Sequence, residues 1–299
     1  MISKFVSSYC YGFSQGRLTV PPKGELQWFP QDDWQLEFVN AGILRCSFIE
    51  LLIERKKNES NPLWSSSGRQ EIKDLCKKYN LIPYSICLDY IIDNSLLGES
   101  ESAAFQSILD ALGVASELGC KVLVLPLLEE SSLTPDNLTE MADTIAAAGK
   151  LAASHEIQVC VETLLCADDL NTFLAMVGLN NVKAVFDTGN RVLEIPDLNT
   201  EIIKLGENIG HFHVKDKDWH GNNVVLGSGL VDFCAVFSAL DEINYQGPLN
   251  FETNRGAVPL DTARFHIGLC EFFANNHQKS KVKGTSGNIR FAAFKTRKI

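Results

Sequence analysis

Four side chains of ligand or proton-transfer type close apolar runs in the second half of the chain. Glu162 follows IQVCV, Asp187 follows NVKAVF, His213 lies within GHFHVKD, and Glu252 follows GPLNF. Taken singly, a carboxylate after an apolar run is more often a helix N-cap or a surface charge, and a lone histidine is more often packed. Taken together they are four potential ligands at successive strand ends, each about one strand-plus-helix repeat from the next. Three carboxylates and an imidazole brought to one point repel unless a cation sits among them. Oxygen donors with a single nitrogen suit Mn2+ first, ahead of Mg2+, Co2+ or Zn2+, whereas structural zinc prefers Cys and His.

Such convergence needs elements that deliver strand ends to one face, as an α/β barrel does. Short β-like runs recur near 8–13, 45–52, 82–88, 121–126, 157–162, 181–187, 209–215 and 247–252. Helical periodicity fills 33–41, 67–79, 101–118, 136–154, 168–177, 199–206, 232–243 and 260–275, with Asp136 and Asp232 as helix-start signals. Eight such pairs predict a (β/α)8 TIM barrel as a single domain over 1–276. A doubly wound open sheet is the alternative, but no GxGxxG follows the first run. Residues 277–299 form a basic extension with seven Lys and Arg and no acidic residue, read as a solvated or body-docked tail.

The 299 residues suit one barrel, and 45% hydrophobic with 21% charged residues is ordinary globular composition. A net charge of -10 argues against a surface for a phosphate backbone, so a small-molecule partner is expected and nucleic acid is not. Nine cysteines lack CxxC or Cys/His pairing, and Cys46, Cys87, Cys120 and Cys160 lie in or beside apolar runs. They read as buried free thiols of a cytoplasmic protein. MISKFVSS lacks an apolar leader, and VLVLPLL is far too short to span a bilayer, so no membrane partner is expected.

Strand alternation adds detail, since residues two apart share a face. His211, His213 and Lys215 therefore project together, with His213 nearer the mouth and the better ligand. His211 is a supporting or substrate contact, or simply a buried polar residue. Lys215 could polarise a substrate oxygen, anchor a phosphate, or pair with Asp216 or Asp218.

With GFSQGRL, FIEL, VET, VFDTGN, GHFHVKD, NVVLGSGLVDF and GPLNFETNRG, the chain resembles the xylose isomerase-like TIM-barrel superfamily of sugar and sugar-phosphate isomerases and epimerases, which also contains endonuclease IV. The resemblance implies that Glu162, Asp187, His213 and Glu252 bind the metal, with Glu162 and Glu252 also the acid/base pair. Asn190 stands where DxxH is common, and Asn cannot shuttle a proton near neutral pH, so it is assigned a substrate-orienting role. Gln15 and Arg17 become substrate-facing candidates, and Glu50 and Arg255 rim contacts. The LGSG turn at 226–229 either presents backbone N–H groups to a phosphate or is an ordinary glycine turn before the Asp232 cap. Relatives of this kind pair through barrel-mouth loops, which makes a homo-oligomer an expectation.

The chemistry that follows is proton transfer between Glu162 and Glu252 through a metal-stabilised enediolate of a sugar or sugar phosphate. Return of the proton to the opposite face of one carbon epimerises; return to the neighbouring carbon isomerises. A ketose 3-epimerase-like reading stands slightly ahead. The alternatives are a non-catalytic sugar-binding barrel, a dehydratase or hydroxypyruvate-type isomerase, and an endonuclease IV-like enzyme. The last is disfavoured because no histidine precedes His155.

Overall fold

In a computed structural model of the chain, residues 9–22 and 27–283 are described, with side chains to 276. The first half alternates β1 (Tyr11–Ser14), α1 (Trp34–Ile43), β2 (Phe48–Ile53), α2 (Ser66–Tyr79), β3 (Ile82–Leu88), a short α3 (Tyr90–Asp93), α4 (Glu101–Leu118), β4 (Val122–Pro126) and α5 (Leu138–Ala153). The second continues with β5 (Gln158–Glu162), α6 (Ala167–Val177), β6 (Val182–Asp187), α7 (Thr188–Val192), α8 (Leu198–Leu205), β7 (Ile209–Val214), α9 (Phe233–Glu242), β8 (Leu249–Phe251) and α10 (Pro259–Lys283).

The strands pair in chain order, all parallel, and β8 returns to β1, so the sheet closes and the open-sheet alternative falls. Parallel strands covered by helices are buried on both faces, which is why β2, β4 and β8 are buried at every position. Helix ends follow local chemistry: α4 and α6 stop at Gly119 and Gly178, both left-handed. Asp232 caps α9 by accepting from Ala235 N, as its sequence suggests. Asp136 does not cap α5. The N-cap is Asn137, whose Oδ1 instead accepts from Thr134 N and closes the preceding turn.

Two helices escape the periodicity reading, α3 and α7, because a one-turn helix leaves no repeat to detect. The expected domain boundary at 276/277 falls inside α10, which runs on to Lys283, and the remainder of the basic extension lies outside the described residues. No helix among the described residues is long and apolar enough to cross a membrane. Cys46, Cys87, Cys120 and Cys160 are buried free thiols.

Register is what aligns the polar residues inside the barrel. Asp187 pairs with His213 and His213 with Asn250, while Ser14 pairs with Glu50 and Glu50 with Ser85. A bulge where Ala184 pairs with Ile209 but Val185 with His211 resets the alternation of β7 and points His211 and His213 inward.

Candidate metal centre

At the bottom of the polar layer, Glu50 is 1% exposed inside the barrel and not at its rim. Its Oε1 accepts from Ser14 Oγ at 2.9 Å and Asn250 Nδ2 at 2.8 Å. Its Oε2 accepts from Ser85 Oγ at 2.8 Å and meets His211 Nε2 at 2.8 Å. His213 Nε2 stands 3.2 Å from Oε1. Burial pushes Glu50 up, but His213 and His211 hold it far below the usual carboxylate range. For His211, burial outweighs the pull of Glu50 and lowers its pKa. Glu50, His211 and His213 make one of two ligand-type groups among the described residues, and in it both oxygens of Glu50 are already engaged.

With Nε2 turned to Glu50, the Nδ1 of His213 faces the mouth and makes no hydrogen bond. It lies 3.5 Å from Glu252 Oε2, 3.8 Å from Glu162 Oε2 and 3.9 Å from Asp187 Oδ2. Donors bound to one small divalent ion at about 2.0–2.2 Å lie roughly 3–4 Å from each other, so this spacing fits a shared cation. Burial favours the neutral ring, yet Glu50 and the surrounding carboxylates push His213 well above its ordinary value, so positive charge is drawn to this point. Glu162, Asp187 and His213 form the second ligand-type group among the described residues, and Glu252 stands against it through its Oε2, 3.5 Å from His213 Nδ1.

Their orientation comes from neighbours. Asp187 caps α7 through Oδ1, which accepts from Asn190 N at 2.8 Å, leaving Oδ2 toward the centre. Asn190 Nδ2 donates to Glu162 Oε1 at 2.7 Å, which again leaves Oε2 inward. Asn190 therefore orients a carboxylate as well as lining the pocket. Arg17 donates to Glu252 Oε1 at 2.7 Å. Lys215 Nζ lies 2.7 Å from Glu252 Oε2 and 2.8 Å from Asp187 Oδ2, so its partners are these and not Asp216 or Asp218. Gly189 in VFDTGN makes room for it, since a Cβ there would meet Lys215 Cγ at 2.6 Å.

The two glutamates consequently differ. Burial, reinforced by Asp187, pushes Glu162 up to about 7. Burial also raises Glu252, but Lys215 and Arg17 outweigh it and hold the group well below the ordinary value. Without a cation bound, one carboxyl therefore keeps a proton near neutral pH while the other gives it up.

Above the donors is a pocket of about 240 Å³ whose lining includes Glu162, Asn190, His213, Lys215 and Glu252, with Gln27, Asp89 and Lys217 around them. Gln15 and Arg255 do not line it. Gln15 Oε1 accepts from Leu52 N, tying the β1 end to β2, and Arg255 Nε donates to the Gly16 carbonyl, bracing the β1 loop. Arg17 reaches the centre through Glu252 and through Gln27, to whose Oε1 it donates at 2.7 Å. Ser14, Ser85 and Asn250 escaped the sequence reading; their signal was a lone polar residue in an apolar strand, readable only once the register is known.

The LGSG turn resolves toward structure. Gly227 N and Gly229 N each donate to Asp216 Oδ2 at 2.9 Å, and Val231 N to Oδ1 at 3.1 Å, so a carboxylate of the chain already fills the nest.

Comparison with known proteins agrees with this architecture. The family described as xylose isomerase-like TIM barrel matches residues 41–267. An L-ribulose 3-epimerase from Methylomonas sp. (strain DH-1) is 28% identical over 200 residues, 60% of this chain and 67% of that one. A D-psicose 3-epimerase from Agrobacterium fabrum is 33% identical over a shorter 104 residues, 32% of this chain and 35% of the other. The crystal structure of a D-allulose 3-epimerase from Methylomonas sp. superposes with a TM-score of 0.70 at 18% identity, covering 89% of this chain and 98% of that one.

Proposed function

We propose that this chain, which belongs to the xylose isomerase-like TIM barrel family, is a metal-dependent sugar isomerase of the ketose 3-epimerase kind. The observation that carries the reading is His213 Nδ1 facing three carboxylate oxygens at 3.5–3.9 Å, two of them from glutamates of unlike basicity. The 3-epimerases among its relatives support the choice of epimerisation.

Glu162, Asp187, His213 and Glu252 would hold the cation, Mn2+ before Mg2+, Co2+ or Zn2+, because three oxygens and one nitrogen form a mainly hard donor set. When bound, a divalent ion supplies positive charge to a carbonyl and its neighbouring hydroxyl, which acidifies the adjacent C–H. The remaining work belongs to side chains. Glu252, kept ionised by Lys215 and Arg17, removes the proton from one face of the substrate carbon. Glu162, itself ionised once it ligates the cation, takes a proton from solvent and delivers it to the opposite face, and the configuration inverts. The reverse reaction exchanges their roles. Asn190 holds Glu162 in place, taking no proton itself.

The test is a panel of ketoses in heavy water with Mn2+ added. Deuterium entering C3 is expected, and its loss in both Glu162→Gln and Glu252→Gln. Full turnover in both variants on an accepted sugar would remove the mechanism; label at C1 alone would replace epimerisation by aldose/ketose isomerisation.

A further inference from the structure

Beside the metal pocket, and opening from it, is a second cavity of about 470 Å³, roughly twice its size. The two share Leu128, Glu129, Asn190 and Lys217, so Asn190, which holds Glu162, stands at the junction. Leucines dominate the wall away from the junction: Leu133, Leu164, Leu165 and Leu193. Leu164 and Leu193 are 46% and 39% exposed, and both border this one cavity.

The wall is preformed. Buried Arg191 donates to the carbonyls of Thr163 at 3.2 Å and Leu165 at 2.8 Å, and pairs with Glu201 at 2.8 Å. Glu201 in turn accepts from Ala167 N at 2.7 Å. The loop between β5 and α6 is therefore tied at both ends to α7 and α8, which suits a standing binding surface.

Its charge disfavours an anion. Among the lining residues Lys217 is the one cation; it is set against the carboxylate of Glu194, while Glu129 is already paired with Arg55. The other two places where a sugar phosphate would be held are also taken: Asp216 fills the LGSG nest, and Lys215 is engaged by Asp187 and Glu252.

Resting on the epimerase reading, we propose that this cavity binds an apolar substituent on a neutral sugar, so that the substrate is an unphosphorylated keto sugar carrying an alkyl, aryl or acyl group. The reacting carbons sit over the metal donors, and the substituent passes Asn190 into the leucine-walled space. A free monosaccharide would leave that space filled only with water.

The test compares D-psicose, its 1-O-benzyl and 6-O-benzyl ethers, and its 6-phosphate on the full-length Mn2+-loaded protein, by calorimetric titration and by hydrogen exchange. One benzyl ether is expected to bind about tenfold tighter than D-psicose, the effect of burying roughly 60 Å² of apolar surface, and the phosphate no tighter than D-psicose. In Leu164→Ser/Leu193→Ser that benzyl gain, taken against the same variant's own D-psicose constant, should fall below about threefold.

Equal binding of all four sugars, tighter binding of the phosphate, or a benzyl gain that survives the double substitution would each overturn the proposal. Should D-psicose exchange hydrogen while the ethers gain nothing, the cavity assignment fails and the epimerase reading stands. Should the ethers bind tighter without exchange, the cavity stands and the catalysis fails. If no sugar binds, both fall. A dimer in sedimentation that the double substitution dissociates, with sugar preference unchanged, would assign the leucines to a second copy of the chain and overturn the proposal.

Discussion

His213 Nε2 meets Glu50 Oε1 at 3.2 Å, on the side of the ring opposite the three mouth-facing carboxylates. With Nε2 also hydrogen-bonded to Glu50 Oε2 at 3.4 Å, a proton is kept on that side, and Nδ1 is the nitrogen that gives up its proton to receive a cation. A buried carboxylate behind a ligating histidine both sets the tautomer and raises its basicity. Glu50 can remain charged there because Ser14, Ser85, Asn250 and His211 also satisfy its oxygens.

Glu50→Gln should therefore weaken Mn2+ binding by about 10- to 100-fold while leaving the four ligands present. Titration calorimetry of the purified variant measures this. Unchanged affinity would mean that Glu50 supports the barrel and not the metal.

Mn2+ affinity should climb with pH. Glu162, raised from 4.5 to about 7, carries a proton below that pH and must release it to become a ligand. In the fold without metal the sign is the reverse. Protonated Glu162 is favoured, so its contribution to stability is fully present below about 4.5 and is lost as pH rises through about 7. Because His213, held well above its ordinary value, must also give up a proton, affinity measured between pH 5.5 and 8 should fall by at least about tenfold for each unit below 7, and a flat profile would sink the expectation.

Lys215→Met removes one of the two cations that keep Glu252 ionised. The acidic limb of the kcat/KM profile should move upward by about one unit, because the base then holds its proton to higher pH. If the limb stays in place while kcat alone drops, Lys215 acts on the substrate and not on Glu252.

Arg191→Met should strand the buried Glu201 carboxylate. Breaking a buried pair from one side costs about 3–5 kcal/mol, which in a protein of this size lowers Tm by roughly 5–8 °C. Scanning calorimetry reads the shift, and Arg191→Met/Glu201→Leu should recover part of it. A single variant as stable as the parent would show the pair to be dispensable.

From the sequence alone, the barrel and its four ligand candidates were legible for one reason. Parallel strands buried on both faces must be apolar, so a carboxylate or histidine at the end of such a run stands out, and repetition of the pattern implies a shared face. Glu162, Asp187, His213 and Glu252 were found in this way, and resemblance to a known family assigned them the same roles. What only the tertiary structure decided is which polar group meets which. Glu50 was expected at the rim but lies beneath His213, since the bulges in β2–β3 and β6–β7 set a register that local periodicity does not encode. Lys215 had a nearby Asp216 and Asp218 to pair with, yet closure of the barrel gave it Asp187 and Glu252. The unlike basicity of the two glutamates follows from those long-range neighbours, because a pKa depends on burial and on charges that come together only when the chain folds.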